Sequence, residues 1–275
     1  MSVLDTIRHR FHPLHHLRKS EVFRAACKRF DRLKTMRVAG IDFPIAGYLL
    51  KNFNMVLGRS LHEAETLSWF ARLARDNNAQ VFWDVGANVG LYGFTFISAN
   101  SDRNTVLFEP DPDNLAALRE TVSINTLQAR VEIRPCAVGA ESGTASFKRD
   151  QITGATGALA TAEDESVFVE RHFNASPETL DVQVTTLNDE AEHRPPPDII
   201  KIDVEGYELD VLTGAKQMLT ARRPIILFEI SRDSADIKAL LLELGYRFHD
   251  AETGARIEEL AHNTFALQPH HHWPE

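Results

Sequence analysis

Short apolar runs alternate with amphipathic stretches over most of the chain after residue 80, and this alternation predicts an α/β fold. Runs rich in Val, Ile and Phe occur at residues 81–85, 105–109, 131–137, 199–203 and 225–230. Such continuous apolar runs are typical of strands buried on both faces of a sheet. Apolar positions at helical spacing lie between them, at residues 91–99, 113–127, 208–221 and 234–244. The order predicts a mostly parallel, doubly wound sheet with right-handed crossovers.

Two regions depart from this alternation and suggest the domain organisation. In residues 1–60, the first 37 residues have helical spacing and predict one or two basic helices, followed by a small β or loop element. The stretch 139–197, before the fourth core strand, is too long for a simple connection. We interpret it as a cap or substrate-facing insertion within a main domain that spans residues 61–275.

The charge is unevenly distributed along the chain. The net charge is −9, yet residues 1–37 contain ten Lys and Arg against three acids, so the remainder is strongly acidic. An acidic body argues against nucleic acid as a partner, because phosphate contacts dominate that affinity. The basic arm is interpreted as a helix that packs on its own domain or a partner subunit, with a peripheral membrane contact as the alternative.

No segment of the sequence suggests export or membrane insertion. The apolar runs are far shorter than the roughly 20 residues of a membrane-spanning helix, and residues 1–17 lack a continuous apolar core. Two cysteines outside any CxxC pattern suit a reducing compartment, so we expect a cytoplasmic protein. The histidines at residues 12, 15, 16 and 270–272 lie in expected tails and are interpreted as surface or disordered residues, not metal ligands.

The strongest motif is the glycine turn after the first core strand, in the sequence VFWDVGANVG at residues 81–90. Asp84 ends the strand, Gly86 allows a sharp turn, and Gly90 opens the next helix, whose N-terminal amides face a ligand. Dinucleotide-binding loops have the spacing G-x-G-x-x-G instead. An acid two residues before the first glycine suits a cationic ligand better than a diphosphate.

Carboxylates at the ends of the later strands extend this site. Glu109 ends the second strand, 25 residues after Asp84, where an acid commonly binds the hydroxyls of a ribose. Asp203 and Glu205 follow the fourth strand and Glu229 ends the fifth. The carboxyl ends of parallel strands meet at one edge of a sheet, where open α/β sheets bind ligands.

Taken together, these segments resemble the FkbM family of methyltransferases. The matching segments are 84–90 (DVGANVG), 108–115 (FEPDPDNL), 137–139 (AVG), 185–187 (TTL), 200–206 (IKIDVEG) and 227–230 (LFEI), with 62–67 (HEAETL) as the preceding helix. The resemblance covers roughly residues 61–246. Two features depart from it: Asn188 and then Asp189 follow the Thr-Leu pair where the family usually has Asp directly, and the basic arm lies outside the match.

The resemblance implies a Rossmann-like class I methyltransferase that uses S-adenosylmethionine. Its acceptor is most often a hydroxyl of a sugar or glycan, a polyketide or another small metabolite. Glu109 would hold the ribose, Ala137 would line the adenine pocket, and Asp203 would lie near the sulfonium. The methionine part would be surrounded by Asp84, Gly86, Ala87, Asn88 and Gly90, with Pro110 and Asp111 beside the ribose.

An alcohol is a weak nucleophile, so we expect a base to remove its proton. Glu205 or Asp203 is the first choice and Glu229 or Lys201 the second, since all four lie at or near strand ends. The sequence shows no dedicated set of metal ligands.

Three other functions share this fold or cofactor. A nicotinamide-dependent oxidoreductase has the fold, but its glycine spacing differs. A nucleic-acid methyltransferase would need a basic groove, and the Pro-Pro-aromatic turn expected for base methylation is absent after the fourth strand. A non-catalytic protein that binds a partner through the basic arm would keep the fold without the chemistry.

Overall fold

The computed structural model describes residues 20–52, 64–152, 156–160, 176–230 and 232–274. Its strands are β1 (Leu33–Met36), β2 (Ile45–Tyr48), β3 (Val81–Val85), β4 (Asn104–Phe108), β5 (Val131–Arg134), β6 (Ala137–Val138), β7 (Gly143–Arg149), β8 (Ala158–Leu159), β9 (Glu178–Thr185), β10 (Ile199–Ile202), β11 (Ile225–Glu229), β12 (Arg247–Asp250), β13 (Arg256–Ile257) and β14 (Asn263–Leu267).

The helices in these ranges are α1 (Glu21–Phe30), α2 (Ala64–Asp76), α3 (Leu91–Ser98), α4 (Pro112–Ile124), α5 (Leu187–His193), α6 (Glu208–Thr213), α7 (Lys216–Arg222) and α8 (Ser234–Glu243). Within the part of the chain that the structure describes, none of them is long and apolar enough to cross a lipid bilayer.

An eight-stranded sheet in the order β13-β12-β14-β11-β10-β3-β4-β5 forms the centre of the molecule. The strands from β11 to β5 in this order are parallel, whereas β14 is antiparallel to both β11 and β12. The chain moves outward from β3 to β5 and later returns to β10 on the other side of β3. The strand order therefore reverses between β3 and β10, which is where open α/β sheets bind their ligands. The predicted Rossmann-like, doubly wound fold is confirmed.

Alternating residues of the central strands enter two apolar layers, because successive side chains of a strand point to opposite faces. Phe82 and Leu107 face the layer that contains α2, α3 and α4. Trp83 and Phe108 face the layer with α5 to α8. Both layers are buried, which explains why the strands read as continuous apolar runs.

The N-terminal region differs from its prediction in one respect. The helical pattern was predicted to extend through Leu33, but α1 ends at Phe30 and Leu33 begins β1, which pairs antiparallel with β2. The carboxylate of Asp31 accepts the backbone N–H groups of Leu50 and Lys51, so the turn into β1 is held by the segment after β2. Residues 1–19 and 53–63 lie outside the described residues, and with them the first predicted helix.

The stretch expected to be a cap contributes a second sheet and a core helix. Strands β6, β9, β7 and β8 form the small sheet, in that order. Helix α5 packs on the central sheet, with Leu187 fully buried. The helix predicted at residues 208–221 is divided into α6 and α7 at Gly214. A Cβ there would lie 2.2 Å from the carbonyl oxygen of Gly139, so the backbone passes close to the start of this stretch.

The C-terminal histidines were interpreted as surface or disordered residues, and His270 and His272 are exposed. The segment that carries them is nevertheless packed against the domain. Trp273 stacks on Trp69 of α2 and on His249 of β12, with ring centroids 5.2 and 3.8 Å apart. Asn77 donates from its side chain to the carbonyl of His272 and accepts from its N–H. The β12–β14 strands were also missed, because their apolar positions are few and interrupted.

Candidate active site

A cleft opens at the carboxyl ends of β3, β4 and β10. It encloses about 680 Å³ of empty space, including its opening to solvent. Its wall is formed by Val85, Gly86, Asn88, Phe108, Glu109, Pro110, Asp111, Asn114, Cys136, Ala137, Val138, Phe147, Asp150, Gly157, Ala158, Leu159, Asp203, Val204, Glu205 and Tyr207.

Gly86 is the point where the loops after β3 and β10 touch. Its φ is +79°, and a Cβ at this position would lie 1.9 Å from the carbonyl oxygen of Asp203. The N–H groups of Gly86 and Ala87 both donate to the carbonyl of Phe108 at 3.0 Å. Glycine is therefore required both for the turn and for the close approach of the second loop.

Glu109 lies at the end of β4 with only 4% of its surface exposed. One carboxylate oxygen accepts the N–H of Asn88 and the other accepts the N–H of Asp111, each at 2.7 Å. Burial raises the pKa of Glu109 to about 8, although these donors oppose the shift. The side chain of Asn114 also donates to this carboxylate. Three of its roughly four acceptor sites are therefore used, so the side chain is fixed and can still receive a ribose hydroxyl.

Asn88 has a left-handed backbone, with φ of +53°, and belongs to the cleft wall. Its side-chain oxygen Oδ1 is buried and has no hydrogen-bond partner among the described residues. Buried acceptors without a partner are uncommon in proteins, and each one suggests a missing donor. An ammonium group of a ligand would supply that donor.

Three residues predicted to contact the methionine part lie behind the cleft wall. Asp84 is 1% exposed and accepts the N–H of Gly93 at 3.1 Å. Burial raises the pKa of Asp84 to about 6. Ala87 is buried, and a Cβ on Gly90 would lie 2.5 Å from the ring of Phe94. These residues shape the glycine loop from below, and their direct contact with the methionine part stays a prediction.

The structure brings Lys201, Asp203 and Glu229 together, but only Asp203 belongs to the wall. The ammonium of Lys201 lies 2.7 Å from the carboxylate of Asp203, and burial raises the pKa of Asp203. Glu229 Oε1 is 3.1 Å from Nε2 of His262. This pair raises the pKa of His262 to about 9. Lys201 and Glu229 are thus held in ion pairs outside the wall, in contrast to their prediction as alternative bases.

Glu205 differs from the other acids near this edge. It lies in the cleft wall on a strained loop, with φ of +53°. Burial raises the pKa of Glu205 to about 8, and the negative charges of Asp203 and Glu229 add to the effect. Its carboxylate forms no hydrogen bond or ion pair within the ranges that the structure describes. A carboxylate with a pKa near neutrality and no partner is suited to accept a proton.

Several wall residues were missed by sequence reasoning. Asn114 lies in the matched segment 108–115 and donates its side chain to Glu109, so that segment could have identified it. Phe147, Asp150 and Leu159 come from the small sheet, where no motif marks them. Tyr207 follows the IKIDVEG segment directly and packs against the apolar cluster of the small sheet.

The unusual Thr-Leu-Asn-Asp segment has a structural role. Oδ1 of Asn188 accepts the N–H of Met218 at 3.0 Å, in the first turn of α7. Asp189 hydrogen-bonds through its carboxylate to Ser142, and its N–H is capped by Thr186. Neither residue belongs to the cleft wall. The departure from the family pattern therefore lies away from the site.

Residues 84–248 match the Methyltransferase FkbM domain. The chain belongs to the FkbM methyltransferase family. It is 30% identical to the Hexuronic acid methyltransferase AglP of Haloferax volcanii over 166 residues, which are 59% of this chain and 62% of AglP. It is 24% identical to the Methyltransferase sdnD of Sordaria araneosa over 186 residues, 59% of this chain and 72% of sdnD. The chain thus spans less than two thirds of AglP.

A solved structure of Methyltransferase FkbM from Methylobacillus flagellatus is also similar. It is 18% identical, with a TM-score of 0.47, and the match covers 69% of this chain and 43% of that one.

The ionisable side chains of the cleft wall are all acidic in the part of the chain that the structure describes. There the wall contains five carboxylates and no Lys, Arg or His, and the carboxylates belong to Glu109, Asp111, Asp150, Asp203 and Glu205. Such a wall attracts a cation and disfavours the diphosphate of a dinucleotide, which needs positive charge or helix amides to bind. Among the described residues, no three His, Cys, Asp or Glu side chains are arranged to hold a metal ion.

Proposed function

We propose that this protein transfers the methyl group of S-adenosylmethionine to an oxygen of a small acceptor, with a sugar hydroxyl as the favoured substrate. The observation that supports this most directly is the wall of five carboxylates, to which no basic residue of the described ranges belongs, together with the unpartnered Oδ1 of Asn88. S-Adenosylmethionine carries a positive sulfur and an ammonium group, so it matches both features.

The wall residues fit each part of this cosubstrate. Glu109 would accept a ribose hydroxyl, and Asn88 would accept a hydrogen bond from the methionine ammonium. The adenine would lie against apolar groups of Ala137, Val138 and Leu159. Gly86 keeps the loops after β3 and β10 close enough to form a single wall, because any side chain there would separate them.

The bound sulfonium supplies an activated methyl group and a neutral thioether as leaving group. Glu205 would accept the proton of the acceptor hydroxyl as its oxygen bonds to the methyl carbon and the carbon–sulfur bond breaks. Asp203 is less suited to this step, because the Lys201 ammonium already pairs with it at 2.7 Å. A positioned base contributes typically about 10²- to 10⁴-fold, and orientation of the reacting groups contributes more.

A sugar acceptor is supported by the relative AglP, which is named for its action on hexuronic acid. Tyr207 belongs to the same cleft wall as Glu205. Its aromatic ring offers apolar surface of the kind that lines small-molecule sites.

Calorimetric titration tests the cosubstrate, and transfer of a labelled methyl group to a sugar panel tests the reaction. We expect S-adenosylmethionine and S-adenosylhomocysteine to bind and NADH not to bind. Tight binding of NADH without either nucleoside would overturn the proposal. Binding without transfer to any acceptor would instead favour the non-catalytic alternative.

The role of Glu205 is tested separately with Glu205→Gln. We expect kcat to fall by about 10²- to 10⁴-fold while the affinity for S-adenosylhomocysteine changes by less than about threefold. Only the ionised carboxylate accepts a proton, so kcat/KM of the wild type should rise with pH up to about 8 and then level. Glu141→Gln, an exposed acid outside the wall, is the control. An unchanged pH profile in Glu205→Gln would assign the base elsewhere.

A further inference from the structure

We propose that Arg232 recognises an anionic group on the methyl acceptor, so that the preferred acceptor is an acidic sugar bearing a carboxylate. This inference rests on the proposed methyl transfer and specifies the class of its acceptor. Arg232 lies outside the segments that mark the cosubstrate site, and its position becomes significant only in the folded chain.

Arg232 follows β11 and reaches back to the loop that carries Glu205. Its Nε donates to the carbonyl of Gly206, the residue after Glu205. Its guanidinium carbon lies 5.3 Å from the ring centroid of Tyr207, a wall residue at the same edge. The backbone acceptor and the cation–π contact fix the head group against the loop that carries the proposed base.

Three other cations near this edge, all within the described ranges, are already neutralised. Lys201 pairs with Asp203, and His262 pairs with Glu229. Arg149 lies on the cosubstrate side and is bound by three acids, Asp111, Asp113 and Glu178. None of the three has an uncompensated charge to offer to an acceptor.

Most hydrogen-bond donors of the Arg232 guanidinium remain available to a ligand. Its side chain is 46% exposed, and the one acid that pairs with it in the described part of the chain, Asp233, is 3.5 Å from Nε. The two terminal nitrogens form no hydrogen bond or ion pair with any residue in the described ranges. A guanidinium presents its donors in a planar fork that matches both oxygens of a carboxylate.

The surrounding acids make this cation decisive for specificity. An acceptor carboxylate that enters near Glu205 and Asp203 meets like charges, which disfavour its approach. Paired with the Arg232 fork, the same carboxylate is attracted and held in one orientation. A neutral sugar can accept only ordinary hydrogen bonds from the guanidinium, which are weaker than a charged pair. The difference in affinity between acidic and neutral sugars should therefore depend on this residue.

The test measures binding of three matched sugars to the protein saturated with S-adenosylhomocysteine. The ligands are methyl β-glucuronide, methyl β-glucoside and glucose 6-phosphate, titrated by ligand-observed NMR. We expect the wild type to prefer the glucuronide over the glucoside by about 10-fold or more, the usual range for a charged hydrogen-bonded pair. Arg232→Gln should remove this preference and leave the affinity for S-adenosylhomocysteine within about twofold.

Arg222→Gln is the matched control, since Arg222 is exposed at the end of α7 and away from the wall. It should keep the wild-type preference. Equal binding of glucuronide and glucoside, or an undiminished preference in Arg232→Gln, would overturn the inference while leaving methyl transfer intact. Tighter binding of the phosphate than of the glucuronide would overturn the assignment to a carboxylate. Failure to bind S-adenosylhomocysteine at all would refute the proposed function itself.

Discussion

The contact between Gly86 and the carbonyl of Asp203 holds the two halves of the site together, and Gly86→Ala should break it. With φ of +79°, alanine would adopt a left-handed conformation, which costs about 1–2 kcal/mol for an L-residue. The added Cβ would also lie 1.9 Å from a backbone oxygen that no rotamer change can move away. To remove this clash, the two loops must separate by roughly 1 Å, and overpacking of this kind typically costs about 1–3 kcal/mol.

The two effects together predict a loss of about 2–5 kcal/mol in the free energy of unfolding. A domain is typically stable by about 5–15 kcal/mol, so most of the variant should still fold. The loop that moves carries Asn88, whose N–H is bonded to Glu109. A displacement of about 1 Å in a binding site can reduce function about 10²-fold, so the affinity for S-adenosylhomocysteine should fall by that order.

Two other glycines distinguish the cost of the left-handed conformation from the cost of the steric clash. Gly40 has φ of +85° and no atom within 4 Å of the position a Cβ would take, and Gly143 has open space and no positive φ. Gly40→Ala should therefore lose only the conformational part, about 1–2 kcal/mol. Gly143→Ala should stay within about 0.5 kcal/mol of the wild type.

Urea denaturation followed by circular dichroism measures stability, and calorimetry measures nucleoside affinity. If Gly86→Ala matches Gly40→Ala in stability and binds S-adenosylhomocysteine like the wild type, the close approach of the two loops is not required and the reasoning fails.

Three further predictions concern the interior charges and the C-terminal segment. Arg149→Met should lower stability by about 3–5 kcal/mol in urea melts, because it leaves the buried carboxylate of Asp111 without its cation; an unchanged melt would contradict this. Lys201→Met removes the cation that lowers the pKa of Asp84, so Asp84 should stay protonated to higher pH in the folded state. Between pH 6 and pH 8, the urea midpoint of this variant should therefore fall more than that of the wild type. Trp273→Ala should cost roughly 2 kcal/mol by loss of its ring contacts without changing nucleoside affinity, and a loss of affinity would link this segment to the cleft.

The elements of the central sheet could be predicted because their pattern is local. Each parallel strand is buried on both faces, so it must be apolar throughout, and the amphipathic segments between such strands must be helices. The strands β12 and β14 have no such pattern, since their pairing at the edge of the sheet depends on residues far away in the chain. The extended β1 was mistaken for helix for the same reason, as its partner β2 decides its conformation.

The predicted site residues also differ in whether the folded chain places them in the cleft wall. Gly86, Asn88 and Glu109 were predicted from their positions after strands, and all three lie in the cleft wall. Asp84, Lys201 and Glu229 occupy equivalent positions in the sequence, but their side chains lie behind the wall or in ion pairs. Spacing along the chain specifies the edge of the sheet at which a residue lies, and packing decides whether it reaches the cleft.

By itself, the sequence determined the doubly wound sheet, the glycine turn and the set of acids that gather at one edge, because each depends on residues close together in the chain. The tertiary structure decided which of these acids has no cation beside it, which wall residues the small sheet contributes, and where Arg232 lies. Those properties depend on distances between segments far apart in sequence, and an uncompensated charge can be recognised only when all of its neighbours are in place.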